Sequence, residues 1–247
     1  MVVSAGWLAK AFLGPLDSDG GKSKHGKVLG YMEIVMSAKD AKSEWGMFLI
    51  PPALPTDRDK LFSTAEDYWN NACLNFLPDG WALYVTGYKD AADILVSEVE
   101  AHGHYHDTLV YPIIFLYRQY LELAIKDLIR QARKLQDVHE PFPKTHRIDE
   151  LWNICSALLQ KISPGDSETE QKNIGRLIDE FCDIDPTSMA FRYPEDREGS
   201  PSLPGIAHIN LRNVKEVMAK IAIILDGADA QIDHYLSIKA DIYSGSY

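Results

Sequence analysis

The chain has 247 residues, of which 46% are hydrophobic and 25% charged, and its formal net charge is −11. This composition is typical of a globular protein that buries a core, and the acidic balance argues against broad nucleic-acid binding by charge alone. Three cysteines without metal-ligand spacing and the lack of a recognisable signal sequence predict reduced thiols in a cytoplasmic protein.

The first 60 residues are rich in turns and contain two short apolar runs. KVLGYMEIVM and WGMFLIPP are bounded by glycine, proline and charged residues, so both are candidate short β-strands. PPALPTDRDK follows as a linker or extended arm. We therefore predict an N-terminal extension over residues 1–60 and a helical domain over residues 61–247.

From Ser63 onwards, apolar residues recur at helical spacing, so the fold class is predicted to be mainly α. STAEDYWNNACLNFL begins with a capping box formed by Ser63 and Glu66. Four amphipathic segments follow from Asp107, and their mostly short loops predict an antiparallel helical bundle. No stretch is apolar over a length that would span a membrane, so no membrane partner is expected.

The longest helical segment carries three charged residues at steps of four. Arg118, Glu122 and Lys126 share one helix face beside the apolar stripe, in a very apolar context. This stripe consists of Ile114, Tyr117, Leu121, Ile125 and Leu128. One interpretation is an internal ion-pair ladder. The other is a ligand-binding polar cleft that also includes His146 and Arg192. The residues alone leave both open.

A basic cluster surrounds the end of this helix and the start of the next. The helix dipole favours cations at a helix C-terminus, so a structural origin is the preferred explanation, and RNA or nucleotide phosphates are the alternative. The cluster consists of Lys126, Arg130, Arg133, Lys134, Lys144 and Arg147.

The segment HGHYHD places three histidines at alternate positions. In an extended conformation His102, His104 and His106 would project from one side, as zinc ligands do. A solvated loop that caps the following helix is the preferred interpretation. We accordingly predict neither a metal nor a cofactor, and a zinc-binding helical protein stays an alternative.

The order of four elements resembles that of HEPN domains over about residues 86–240. These elements are FLYRQYLELAIKDLI, KTHRIDELW, MAFRYPED and the final amphipathic helix. These small helical bundles occur in prokaryotic nucleotidyltransferase partners, toxins and phage-defence proteins. The resemblance implies a bundle that pairs as a homodimer, with a nucleotidyltransferase as one possible partner protein.

The ribonuclease members of that family carry an arginine, a short spacer and a histidine on the last helix. Arg212 and Asn213 match the first half of this motif, but Val217, Met218 and Ala219 stand where the histidine should fall. The resemblance therefore implies a binding or regulatory role in a defence or toxin–antitoxin type system. The alternative is a metal-independent ribonuclease whose base is His146 or lies in HGHYHD.

Two further expectations concern an ion pair of Arg192 and self-association of the chain. Arg192 in MAFRYPED should bind the carboxylate of Asp149 or Glu122. Self-association, most simply as a homodimer, is predicted from apolar residues of the long helix that lie off its main stripe. Burial against the preceding helix would explain part of this second apolar face, which comprises Val110, Tyr111, Ile113, Phe115, Leu116 and Tyr120.

Overall fold

The computed structural model describes residues 54–64, 66–165 and 168–244. The chain divides into two compact units, Met1–Asn71 and Ala72–Tyr247. The boundary predicted after residue 60 falls inside the first of these units. The candidate strands KVLGYMEIVM and WGMFLIPP lie outside the described residues.

The segment from residue 63 to 77 does not form the helix that its capping box predicts. Its described residues are irregular apart from one short 3-10 helix, Tyr68–Asn70. Trp69 and Leu74 are exposed, so the segment buries no apolar face. Most protein helices are stabilised by such burial, and a favourable first turn does not replace it.

The described part of the second unit is a bundle of five helices. None of the described helices combines the length and the hydropathy that a membrane crossing would need. The helices are α1 (Trp81–His102), α2 (His106–Leu135), α3 (Ile148–Ile162), α4 (Glu168–Ile184) and α5 (Leu211–Ser244).

A tight turn makes α1 and α2 antiparallel. Gly103 has a φ of 65° and caps α1 through its N–H bond to Val99, a left-handed conformation that glycine adopts without strain. Far from the turn, Arg130 of α2 binds Asp79 just before α1.

Helix α2 is central and packs against α1, α3 and α5. Its predicted stripe is buried, and so are Ile113 and Tyr120 of the second apolar face, whereas Tyr111 is exposed. Burial within the chain therefore accounts for part of the second face from which self-association was predicted.

The bundle is not antiparallel throughout. Arg118, in the first half of α2, contacts His146 just before α3. Gln136, at the end of α2, bonds Leu158 near the end of α3, so these two helices run in the same direction. Helix α5 also runs in the same direction as α2, because Lys239 near the C-terminal end of α5 donates a hydrogen bond to the carbonyl of Leu135 at the C-terminal end of α2. The twelve residues 136–147 span up to about 40 Å when extended, which suffices to return along α2.

Candidate functional site

The three charged residues predicted to share a face of α2 form a buried ladder. The Arg118 Nη1 atom lies 3.2 Å from Glu122 Oε2, and the Lys126 Nζ atom lies 2.7 Å from Glu122 Oε1. The Arg118 side chain is fully buried, and those of Glu122 and Lys126 are nearly so. Buried charges persist in a protein only when they are paired, and the carboxylate here pairs with both cations.

His146 joins this ladder from the segment that returns along α2. Its Nδ1 lies 2.8 Å from Glu122 Oε1, and its backbone carbonyl accepts a hydrogen bond from Arg118 Nη2 at 2.5 Å. The side chain is 73% exposed even though its partner carboxylate is buried. The three charged residues thus form an ion-pair ladder, as the first interpretation predicts, and His146 contacts it, as the second predicts.

The charges around Glu122 keep it ionised. Burial alone would raise the pKa of this carboxyl, but hydrogen bonds from Lys126 and His146 outweigh the burial and lower it. With Glu122 as the acceptor, this bond requires a proton on Nδ1 of His146, and Nε2 takes no part in the contact. This arrangement is able to perform acid–base chemistry or to fix the return segment onto α2.

Arg192 does not belong to this group, so the prediction that Asp149 or Glu122 would bind it is wrong. The guanidinium is exposed and lies 5.6 Å from the ring centroid of Phe115 and 5.4 Å from that of Tyr193. Asp149 is already bound by Arg147 at 2.5 Å, and Glu122 is occupied within its own ladder.

The first half of the ribonuclease motif lies at the start of α5. Arg212 Nε is 2.6 Å from Glu100 Oε1 of α1, and this contact lowers the pKa of Glu100. The backbone N–H of Asn213 binds the side chain of Asn210, which caps the helix. Arg212 therefore pairs with α1, whereas His146 pairs with α2.

An apolar groove of about 450 Å³ lies between α2, α4 and α5 and was not predicted. Val217 and Met218, which stand where the motif histidine should fall, line it together with Asn213. Most of its remaining lining is aliphatic or aromatic, with His208 among the few polar groups. No local sequence signal indicates such a groove, because its walls come from helices far apart in the chain.

The HGHYHD segment is not extended, so the geometry on which the zinc alternative depended is wrong. His102 ends α1, and His106 begins α2. The Nδ1 atom of His104 lies 2.8 Å from the backbone carbonyl of His102, and its ring lies against that of Tyr105. Within the part of the chain that the structure describes, no three histidine, cysteine or acidic side chains are grouped to hold a metal.

Carboxylates neutralise most of the predicted basic cluster. Arg130 binds Asp79 and Asp127, and Arg133 binds Glu140, each at 2.7 Å. Lys126 and Arg147 are paired within the contacts described above. These ion pairs favour the structural explanation of the cluster over a phosphate-binding surface.

Neither protein-family models, nor curated proteins, nor solved structures give a match to this chain.

Proposed function

We propose that the chain is a HEPN-like protein that acts by binding, as a partner or regulatory subunit in a prokaryotic defence or toxin–antitoxin type system. The order of FLYRQYLELAIKDLI, KTHRIDELW and MAFRYPED supports this proposal, as does a helical bundle that ends in an amphipathic helix. A cytoplasmic location and a nucleotidyltransferase as partner protein belong to the same proposal.

One observation carries the preference for binding over catalysis. If His146 were the base, it would have to act together with Arg212, but the two are held by different carboxylates, Glu122 and Glu100, on different helices. A ribonuclease site needs the phosphate-binding cation and the base on the same phosphodiester. The arrangement within one chain supports a protein that lacks this activity.

The test is incubation of the purified full-length protein with tRNA and total RNA in EDTA. We expect intact RNA at every protein concentration that leaves a control ribonuclease active. Cleavage that survives EDTA and is lost in Arg212→Ala would overturn the binding proposal. A matched control is Arg176→Ala, because Arg176 forms a similarly exposed ion pair, with Glu180 of its own helix α4.

A second candidate function is a metal-independent ribonuclease with His146 as its base, and the Glu122–His146 contact favours it. A base that is oriented by a carboxylate and keeps its second nitrogen in solvent is a common catalytic arrangement. In this mechanism His146 would take the proton from a ribose 2′-hydroxyl. The 2′-oxygen would then bond to the phosphorus as the bond from phosphorus to the 5′-oxygen breaks, and the 5′-oxygen would take a proton from water.

His146→Ala separates the second candidate from the first. His139 lies on the same return segment and is exposed, so His139→Ala is the matched control. The ribonuclease candidate predicts cleavage that disappears in His146→Ala and persists in His139→Ala. Equal activity of both variants would remove His146 from consideration as a base.

The neighbouring gene gives a separate test of the partner role. A nucleotidyltransferase encoded beside this chain should copurify with it on co-expression. A neighbouring nucleotidyltransferase that folds and remains fully separate from the chain would contradict this part of the proposal.

A further inference from the structure

One side of α5 presents a regular stripe to solvent. Its positions recur at steps of four with one step of three, so they share a face. The opposite side of the helix is the one that packs into the bundle, through residues such as Leu225 and Ile232. The stripe consists of Ile223, Gly227, Gln231, Tyr235, Ile238 and Ile242.

The apolar members of this stripe have exposed side chains. Ile223 is 70% exposed and Ile242 is 64% exposed, and both Tyr235 and Ile238 are also exposed. Single exposed apolar residues are normal, but several on the same face of one helix are typical of an interface.

A groove of about 410 Å³ continues the stripe towards α3 and α4. Gly227 and Gln231 form one wall, and Trp152 and Leu159 of α3 line it as well. The buried Oε1 atom of Gln171, also in the lining, accepts no hydrogen bond from any described residue. The groove gives a second helix room to approach, and Gly227 lets it come close because it has no side chain.

The stripe is complementary to itself when two copies of α5 pair in opposite directions about Gln231. Gly227 and Tyr235 each lie about 6 Å along the helix from Gln231, on opposite sides of it. An antiparallel pair therefore places the glycine of one copy opposite the tyrosine of the other. By the same measure Ile223 and Ile238 lie about 12 Å and 10 Å from Gln231, so these two isoleucines meet across the pair.

The charges at the ends of the stripe match the same arrangement. Lys220 and Asp241 lie about 16 Å and 15 Å from Gln231, on opposite sides of it. Neither forms an ion pair with another described residue of its own chain. Antiparallel pairing brings each lysine beside the aspartate of the second copy, whereas parallel pairing would bring like charges together.

We propose that α5 is a homodimerisation surface on which α5 of a second copy packs antiparallel, centred near Gln231. This inference rests on α5 and its groove and not on the proposed function, so either one may fail alone. It assigns the pairing to α5 and not to the second apolar face of α2.

The first test measures the mass of the full-length protein by light scattering after size exclusion over a range of concentrations. We expect twice the 27.8 kDa mass of the chain. Gly227→Leu should weaken the dimer about tenfold or more, because a side chain there fills the space that the second helix occupies. Within the chain a Cβ at Gly227 meets nothing within 4 Å, and the same holds for Gly87 of α1, so Gly87→Leu is the matched control.

A second pair of variants tests the apolar contact at matched exposure. Ile223→Glu should also weaken the dimer, whereas Ile94→Glu, on α1 and 67% exposed, should not. Far-ultraviolet circular dichroism confirms that each variant keeps its helices. A protein that is monomeric at all concentrations, or a dimer insensitive to both α5 substitutions, overturns the proposal.

Charge reversal tests the antiparallel register. Lys220→Asp or Asp241→Lys alone should weaken the dimer, and the two substitutions together should restore it, because the pair is then re-formed with opposite signs. The effect of each single change should fall as salt is added. A double variant as weak as the single ones rejects the antiparallel arrangement and the proposal with it.

Discussion

The exposed imidazole of His146 binds the buried carboxylate of Glu122, with 2.8 Å between Nδ1 and Oε1. Glu122 also receives Arg118 and Lys126 from its own helix. A single carboxylate therefore connects the middle of α2 with the segment that leads into α3. Its removal should affect stability more than any other single charge change in this region.

Glu122→Gln should lower the free energy of unfolding by about 3–5 kcal/mol at pH 7, because Arg118 and Lys126 would stay buried without their counter-charge. Urea unfolding followed by circular dichroism measures this difference. Glu150→Gln is a matched control, since Glu150 is half exposed and, among the described residues, its ion pair is with Arg147. Equal stabilities of the two variants would contradict the importance of the buried carboxylate.

The same variant should change how stability depends on pH. The pKa of Glu122 is lowered in the folded protein from its ordinary value of 4.5, so the unfolded chain binds the proton more tightly. The stabilisation is therefore complete above about pH 4.5 and is lost as the pH falls through the lower, folded-state pKa. The gap between wild type and Glu122→Gln should narrow over this acid range in unfolding experiments from pH 7 to pH 3. A constant gap would show that Glu122 does not titrate with folding.

Arg192→Ala should leave the protein nearly as stable as the wild type, with a loss of about 1 kcal/mol or less. The guanidinium is exposed and contacts aromatic rings, and exposed cation–π contacts contribute about that much. Thermal unfolding measures the change. Arg118→Ala, which removes a fully buried guanidinium, should lower the midpoint far more. A comparable drop in both variants would show that Arg192 has a buried partner.

Gly87→Ala should stabilise the protein by about 0.5–1 kcal/mol, since alanine favours a helix and a Cβ there meets nothing within 4 Å. Gly175→Ala should gain less or lose stability. A Cβ at Gly175 would lie 3.2 Å from Nε1 of the buried Trp152, which has little room to move. Denaturant titrations of the two variants give the comparison. A larger gain at Gly175 would mean that α3 and α4 pack loosely.

Only one of the three thiols should react quickly with a thiol reagent in the native protein. Cys73 is exposed, whereas Cys155 and Cys182 are buried. Burial raises the pKa of Cys155 to about 12 and also raises that of Cys182, and the thiolate is the reactive form. Titration with a disulfide reagent at pH 8 should give one fast equivalent, lost in Cys73→Ser, and three equivalents in denaturant. Three fast equivalents without denaturant would contradict this packing.

Local rules determined much of what the sequence alone revealed. The ladder of Arg118, Glu122 and Lys126 is predictable because residues four apart on one helix are neighbours whatever surrounds the helix. The positions of the later helices follow from apolar spacing in the same way. The capping box at Ser63 shows the limit of such rules, because a helix start is stable only where the following residues pack.

Tertiary structure decided which residues meet across the bundle. His146 reaches Glu122 because residues 136–147 return along α2, and loop length alone does not give that direction. Arg192 instead lies beside Phe115, and Arg147 is the residue that binds Asp149. The exposed stripe of α5 could be found only once its opposite face was buried. Periodicity shows that a helix has an apolar side. Which side of the helix stays exposed is determined by the packing of distant segments, because burial depends on contacts that are not local in the sequence.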